Sequence, residues 1–159
     1  MSENESALSK CSRCANLRFS PLTLWFQLNE QADQSKPLIL VVDDNATMRK
    51  LVTAQLSKLG YSSDTAIDGQ EALDKTATHQ YKMVLMDVQM PTMDGIEATA
   101  KLREREAAVQ AHTTIVALTG HCSRTDCIAS GMDDYVAKPM NIATLKKIVE
   151  KWVAQPHLA

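Results

Sequence analysis

Short apolar runs alternate with stretches of helical period along most of the chain. From Pro37 onward, each run has the length of a β-strand and is followed by a helical or loop segment. This is the pattern of βα units that build a parallel sheet. Five units can be counted, with strands predicted at Leu38 to Val42, Ser62 to Ala66, Met83 to Met86, Ile115 to Leu118 and Tyr135 to Ala137.

The polarity of the predicted strands indicates their order in the sheet. The first, third and fourth runs are continuously apolar, as strands covered by helices on both faces must be. The second run, Ser-Ser-Asp-Thr-Ala, is polar and suits an edge of the sheet. The doubly wound order 2-1-3-4-5 places it there and sets strands one and three side by side. We therefore predict an α/β fold with a five-stranded parallel sheet in that order, of the flavodoxin-like type.

The spacing of apolar side chains predicts helices between the strands. The first helix carries one apolar face and ends before Gly60, a helix stop; the face consists of Met48, Leu51, Val52, Leu56 and Leu59. The last helix has a similar stripe, formed by Ile142, Leu145, Ile148, Val149 and Trp152. The fourth helix, near Arg124 to Ser130, is short and weakly patterned.

The same pattern divides the chain into a domain and two flanking segments. Residues 1–36 lack a sustained period and are rich in Ser, Asn and Gln, so we predict an N-terminal extension or linker. Residues 37–154 form the predicted domain, and residues 155–159 a C-terminal tail. The extension holds three of the seven aromatic residues, which predicts a contact with its own domain or another chain: Phe19, Trp25 and Phe26.

Charge and hydropathy narrow the classes of protein to consider. The chain has 17 basic and 19 acidic residues, a net charge of -2, so it lacks the basic patch that nucleic acid or an anionic membrane would attract. Its longest apolar run is about five residues, against the roughly 20 that span a bilayer. No secretory signal is evident at the N-terminus, so we predict a cytoplasmic protein without membrane insertion or nucleic-acid binding.

Five polar residues stand where the predicted strands end. Asp43 and Asp44 follow the first strand, Asp87 the third, Thr119 the fourth and Lys138 the fifth. Ligands of open α/β sheets bind beyond these carboxyl ends, at the point where the strand order reverses. Three carboxylates in one cleft repel each other unless a cation lies among them, and Mg²⁺ suits oxygen ligands that leave room for phosphate. The sequence therefore predicts a magnesium-dependent phosphoryl-transfer site.

Each predicted site residue has a defined chemical role. Asp87 is placed to attack phosphorus and form an aspartyl phosphate. Lys138 would neutralise phosphoryl oxygens, and Thr119 would donate a hydrogen bond to them. His121 lies close to this rim but is interpreted as an exposed loop residue, since the mechanism needs no base there. A Gly-rich phosphate loop is lacking, so a nucleotide is not the expected ligand.

Four segments of the sequence resemble the response-regulator receiver family: Val-Val-Asp-Asp-Asn (41 to 45), Met-Asp-Val-Gln-Met-Pro-Thr-Met-Asp-Gly (86 to 95), Ala-Leu-Thr-Gly (117 to 120) and Asp-Tyr-Val-Ala-Lys-Pro (134 to 139). These segments are more similar to receivers of hybrid histidine kinases than to receivers fused to DNA-binding domains. The resemblance implies a signalling receiver that catalyses its own phosphorylation and dephosphorylation, with phosphate taken from a phosphohistidine on a kinase or phosphotransfer protein. It is then expected to signal by a surface change or to pass the phosphate on.

The resemblance also implies roles for individual residues. Asp43 or Asp44 and Asp87 would ligate Mg²⁺, with the backbone carbonyl of Gln89 as a further ligand. The Lys138-Pro139 peptide bond would be cis. Thr119 and Tyr135 would move together on phosphorylation and change the face formed by helix four, strand five and helix five, where a downstream partner would bind. Gly120 stands where the family more often has Ala, which adds backbone freedom beside Thr119.

Two other classes of protein share some of these features. A phosphatase of the haloacid dehalogenase type also uses Asp, Thr, Lys and Mg²⁺, but it needs Asp-x-Asp after strand one, and here Asp43 and Asp44 are adjacent. A structural adaptor would keep the fold without the chemistry, which the intact acidic set and Lys138 disfavour. Uptake of a stable phosphoryl group would distinguish all three.

The cysteines lie outside the predicted site. Of Cys11, Cys14, Cys122 and Cys127, only the first pair has the C-x-x-C spacing of metal or redox sites. One such pair is half of a zinc site. We interpret all four as reduced thiols without function, with an interdomain zinc site or disulfide as the alternative.

Overall fold

A parallel five-stranded sheet forms the centre of the part of the chain that the structure describes. The computed structural model describes residues 38–120 and 122–153, and the predicted N-terminal extension, the C-terminal tail and His121 lie outside these residues. The strands are β1 (Leu38–Val42), β2 (Ser62–Ala66), β3 (Met83–Asp87), β4 (Thr114–Thr119) and β5 (Asp134–Ala137). They are parallel in the order β2-β1-β3-β4-β5, which confirms the predicted fold class and the edge position of the polar strand.

Within the described residues, four helices connect the strands and a fifth follows β5: α1 (Ala46–Lys58), α2 (Gly69–Thr78), α3 (Gly95–Val109), α4 (Arg124–Ala129) and α5 (Ile142–Val153). Asn45, Asp68, Asp94 and Ser123 cap the first four, each accepting a hydrogen bond from a backbone N–H of the first turn. Gly60 follows α1 with φ of +88°, as predicted for a helix stop.

Apolar side chains cover both faces of the sheet. On one face, alternate residues of the central strands pack against α2, α3 and α4, for example Leu40 and Val84 against Leu102. On the other face, the intervening residues pack against α1 and α5, for example Val41 against Leu145. Every residue of β3 and β4 is buried, which explains the continuous apolar runs Met83 to Met86 and Ile115 to Leu118 within them.

Two predicted core positions are exposed. Leu51 of α1 is 45% exposed and Ile142 of α5 is 41% exposed. Val52 and Leu56 form the buried contacts of α1, and Leu51 lies about 100° around the helix from Val52. Ile142 is the first residue of its helix, where the chain has only just reached the sheet. The apolar stripe in the sequence is therefore wider than the buried face.

An ionic cluster fixes the end of the sheet opposite the predicted site. The Arg103 guanidinium of α3 donates to the carbonyls of Gly131 (2.8 Å) and Thr113 (2.9 Å) and to the Asp133 carboxylate (2.8 Å). Asp133 also accepts the backbone N–H of Ile115 in β4 at 2.7 Å. This cluster joins α3, β4 and the turn that follows α4, which we call the 131–133 turn.

A second polar contact ties the last helix to the edge strand β5. The Asp134 carboxylate accepts hydrogen bonds from Lys151 Nζ and from Trp152 Nε1 of α5. Burial raises the pKa of Asp134, but the bonds from Lys151, the Tyr135 backbone and Trp152 outweigh it and lower the pKa overall. The charged carboxylate therefore stabilises the docking of α5.

No helix among residues 38–120 and 122–153 has the length and apolar character needed to cross a membrane.

Candidate functional site

Three carboxylates meet where β1 and β3 end. Val42 and Met86 are paired in adjacent strands, so Asp43 and Asp87 emerge side by side, and Asp44 follows. One oxygen from each of the three lies within 4.8 Å of the others. Asp43 and Asp87 are buried, whereas Asp44 is exposed. Oxygen ligands that converge with one open side are what a hydrated Mg²⁺ requires, so these residues fit the metal.

Lys138 lies against the two buried carboxylates. Its Nζ donates to Asp43 Oδ2 at 2.8 Å and to Asp87 Oδ2 at 2.7 Å. Burial raises the pKa of Asp87 and outweighs the opposing effect of Lys138. For Lys138, burial lowers the pKa, but the bonds to Asp43 and Asp87 outweigh it and raise the pKa overall. The lysine is therefore held as a cation beside the acidic residues.

Backbone groups complete the surroundings of the carboxylates. The N–H of Asn45 donates to Asp43 Oδ1 at 2.8 Å, and the N–H of Gln89 lies 3.3 Å from Asp87 Oδ1. These contacts orient both side chains with their remaining oxygens toward Lys138. The predicted role of the Gln89 carbonyl as a metal ligand stays a prediction.

Gly95 packs directly beneath Asp87. A Cβ at Gly95 would lie only 2.2 Å from the backbone oxygen of Asp87, so the first turn of α3 comes this close only because residue 95 has no side chain. The N–H of Gly95 also donates to the Val88 carbonyl at 3.0 Å. The position of the Asp87 backbone thus depends on a glycine eight residues later.

Thr119 and Lys138 are joined through the ends of β4 and β5. The N–H of Lys138 donates to the Thr119 carbonyl at 2.7 Å. The Thr119 side chain is buried, and its Oγ1 accepts the backbone N–H of Cys122 at 2.7 Å. The threonine hydroxyl is therefore linked to the loop that leads into α4.

The remaining predicted positions lie in β5 or directly after it. The Lys138–Pro139 peptide bond is cis, as the resemblance implies. Tyr135 lies on the edge strand β5 with 36% of its surface exposed. A groove of about 600 Å³ lies beside the carboxylates and is lined by residues of the loops after β3 and β4, including Gln89, Met90 and Cys122.

Three contributing residues were missed in the sequence. Arg49 donates to the backbone carbonyls of Asp43 and Asp44 and so holds the acidic loop from α1. Asn45 caps that helix, and its position directly before a helical stretch is a recognisable signal. Gly95 has no such signal, because its importance comes from its close contact with the backbone of Asp87.

The comparisons with known proteins agree with this geometry. Residues 39–150 match the family described as the response regulator receiver domain. Hybrid signal transduction histidine kinase F of Dictyostelium discoideum is 38% identical over 125 residues, which cover 76% of this chain and 11% of that protein. The chain therefore spans about a tenth of the length of this relative.

Two solved structures are also similar. One is the receiver domain of sensor histidine kinase PA1611 from Pseudomonas aeruginosa PAO1, with a magnesium ion coordinated in its active site cleft: 33% identity, a TM-score of 0.69, and coverage of 76% of this chain and 100% of that one. The other is the receiver domain of the response regulator Ssk1 in complex with the histidine phosphotransfer protein Ypd1 of Saccharomyces cerevisiae: 30% identity, a TM-score of 0.68, and coverage of 74% and 88%. The chain therefore belongs to the response regulator receiver family and contains a receiver domain of the two-component and phosphorelay type.

Proposed function

We propose that this chain accepts a phosphoryl group on Asp87 in a two-component or phosphorelay pathway, and that residues 37–154 are sufficient for this reaction. The contact of Lys138 with both buried carboxylates, beside the exposed Asp44, is the observation that carries the proposal. A lysine in contact with both the nucleophile and its acidic neighbour can stabilise the negative charge of an incoming phosphoryl group.

In the proposed reaction, an Asp87 carboxylate oxygen forms a bond to phosphorus while the bond between phosphorus and a histidine nitrogen breaks. The electron pair of the broken bond stays on the imidazole. Mg²⁺, held by Asp43, Asp44, Asp87 and the Gln89 carbonyl, would supply positive charge for the phosphoryl oxygens. Lys138 would exchange part of its contact with Asp87 for a bond to a phosphoryl oxygen. Thr119 would donate a hydrogen bond from its hydroxyl group to a second phosphoryl oxygen.

The groups that perform this reaction all come from the receiver chain. We therefore infer that a small phosphodonor can replace the protein donor, and that the chain catalyses its own phosphorylation and dephosphorylation. This is the activity of a signalling receiver rather than of an enzyme with a separate substrate. The complex of a similar receiver with Ypd1 supports a histidine phosphotransfer protein or histidine kinase as the physiological partner. The proposed location of the reaction is the cytoplasm.

The output is proposed to be a surface change or onward transfer of the phosphate. Thr119 would move toward the phosphoryl oxygens, and Tyr135 would turn inward from the face formed by α4, β5 and α5. A downstream protein that binds one arrangement better would respond to phosphorylation through that difference alone.

The proposal is tested by incubating the protein with a small phosphodonor and Mg²⁺ and measuring its intact mass. The wild-type chain should gain one phosphoryl group, and Asp87→Asn should gain none, because an amide is a poor nucleophile. Asp74→Asn, an exposed position of α2, is the matched control and should behave as wild type. Full modification of the Asp87→Asn variant would show that another residue is the acceptor.

A further inference from the structure

Two cysteine thiols are in contact near the predicted site. Cys127 lies in α4 and Cys122 in the loop before it, and their sulfurs are 3.3 Å apart. The spacing of five residues is not a recognised redox motif, so no sequence pattern pairs them. The turn into α4 brings them together, with the Ser123 carbonyl accepting the N–H of Cys127.

The two thiols differ in their access to solvent. Cys127 is completely buried among apolar residues, whereas Cys122 is partly exposed and lines the groove beside the carboxylates. A small oxidant that enters the groove therefore reaches Cys122 first, and Cys127 lies directly behind Cys122. An accessible thiol with a second thiol in contact is the arrangement of a reversible oxidation site.

We propose that Cys122 and Cys127 form an oxidation site for hydroperoxides, which close a disulfide between them. The Cys122 sulfur, as the thiolate, attacks one peroxide oxygen. The O–O bond breaks, and the departing oxygen leaves as water or an alcohol. The Cys127 sulfur then attacks the resulting sulfenic acid, and its proton leaves with the hydroxyl group as a second water. The two thiols lose two electrons in total, and the peroxide gains them.

The surroundings of Cys127 make Cys122 the first of the two sulfurs to react. Burial, together with the neighbouring Cys122, raises the pKa of the Cys127 thiol to about 11. It therefore stays protonated near neutral pH and does not compete as the first nucleophile. The sulfurs must approach from 3.3 Å to the roughly 2.0 Å of a disulfide bond, a shift that a loop residue such as Cys122 can supply.

Closure of the disulfide would slow phosphorylation, and this effect rests on the proposed function. The N–H of Cys122 donates to the Thr119 hydroxyl. A bond from residue 122 to the middle of α4 ties this loop to the helix, so Thr119 can no longer move toward a phosphoryl group independently of α4. The oxidised protein should therefore respond more slowly to a phosphodonor.

Trypsin provides a direct test, because Arg124 lies between the two cysteines. In the reduced chain, cleavage separates the peptide 106–124, with Cys122, from the peptide 125–146, with Cys127. In the full-length protein treated with stoichiometric hydrogen peroxide, these two peptides should remain joined until a reductant is added. The joined pair should have lost two hydrogen atoms in mass.

The variants Cys122→Ser and Cys127→Ala should abolish the joined peptides, whereas the double variant Cys11→Ser with Cys14→Ser should retain them. A sulfinic acid at Cys122 with no joined pair would overturn the proposal. Bonding of Cys122 to Cys11, to Cys14 or to a second chain would do the same.

The functional consequence is measured separately. The oxidised wild type should take up phosphate from a small phosphodonor at least about fivefold more slowly than the reduced protein, within the usual range of coupling between two sites. The Cys122→Ser variant should show no effect of peroxide. Equal rates would refute the link to Thr119. Failure of the reduced protein to take up any phosphate would instead refute the proposed function, while the peptides would still decide the oxidation site.

Discussion

Replacement of Gly95 by alanine should damage both the fold and the site. The added Cβ would lie 2.2 Å from the backbone oxygen of Asp87 and 3.0 Å from its carbonyl carbon. These are backbone atoms of a buried central strand, so they cannot rotate away as a flexible side chain could. Either α3 or the end of β3 must shift by the better part of an ångström to restore an ordinary contact.

The cost of this shift can be judged from related substitutions. Overpacking of a core usually costs 1–3 kcal/mol, and a clash with backbone falls at the upper end, so we expect a loss of about 3 kcal/mol in the free energy of unfolding. For a domain of this size, that corresponds to a fall of roughly 12 °C in Tm. Displacement of the Asp87 carboxylate from Lys138 should also slow phosphorylation, by about 100-fold for a misplacement of 1 Å.

Gly120→Ala is the matched control, because it is the same substitution next to Thr119. A Cβ at Gly120 would meet no atom within 4 Å, and the backbone φ of Gly120 is not positive. Alanine there restricts the unfolded chain and should raise the free energy of unfolding by roughly 0.4–1 kcal/mol. Urea unfolding followed by circular dichroism measures both variants. If Gly95→Ala is as stable as wild type, the close packing of α3 beneath Asp87 is refuted.

Three further predictions follow from the site and its surroundings. Asp44→Ala should weaken Mg²⁺ binding, measured by calorimetric titration, while Asp74→Ala leaves it unchanged; an unaltered affinity would remove Asp44 from the site. Asp134→Asn should destabilise the protein at about pH 6, and this difference should shrink in acid: the folded pKa of Asp134 is lowered, so its contribution is present above the ordinary value near 3.9 and is lost as pH falls through the folded pKa. A stability difference that persists in acid would contradict this assignment. Crystal structures with and without a phosphoryl mimic should differ in the Tyr135 rotamer and the Thr119 position, and identical arrangements would refute the proposed switch.

The central sheet could be predicted because burial on two faces leaves an unambiguous pattern. Continuous apolar runs identified β1, β3 and β4, and the polar Ser62–Ala66 identified an edge. The start of β4 was missed by one residue, since Thr114 is polar although it is buried and paired with Met83. The start of β5 was missed in the same way, because Asp134 is acidic. Its carboxylate accepts hydrogen bonds from Lys151 and Trp152 of α5.

The convergence of the predicted site residues could be anticipated because they stand where β1, β3, β4 and β5 end. Their convergence needs only the parallel topology, which the sequence pattern already contains. Contacts that depend on the exact position of a loop or helix could not be predicted in this way. The packing of Gly95 on Asp87 and the contact of Cys122 with Cys127 depend on where loops and helices settle against the sheet, and neither has a characteristic spacing.

The 131–133 turn holds one end of α4 in place, so the helix can tilt about that end. Arg103 and Asp133 fix the turn to α3 and β4, whereas the opposite end of the helix is joined to Thr119 through Cys122. Six residues of helix are about 9 Å long. A displacement of about 2 Å at the end nearest Cys122 would therefore tilt the helix by on the order of 10° about the end at the 131–133 turn. Amide hydrogen exchange should accordingly change on phosphorylation at residues 122–125 and stay constant at residues 131–133. A partner bound to α4 would then respond to a rotation of this helix rather than to a translation.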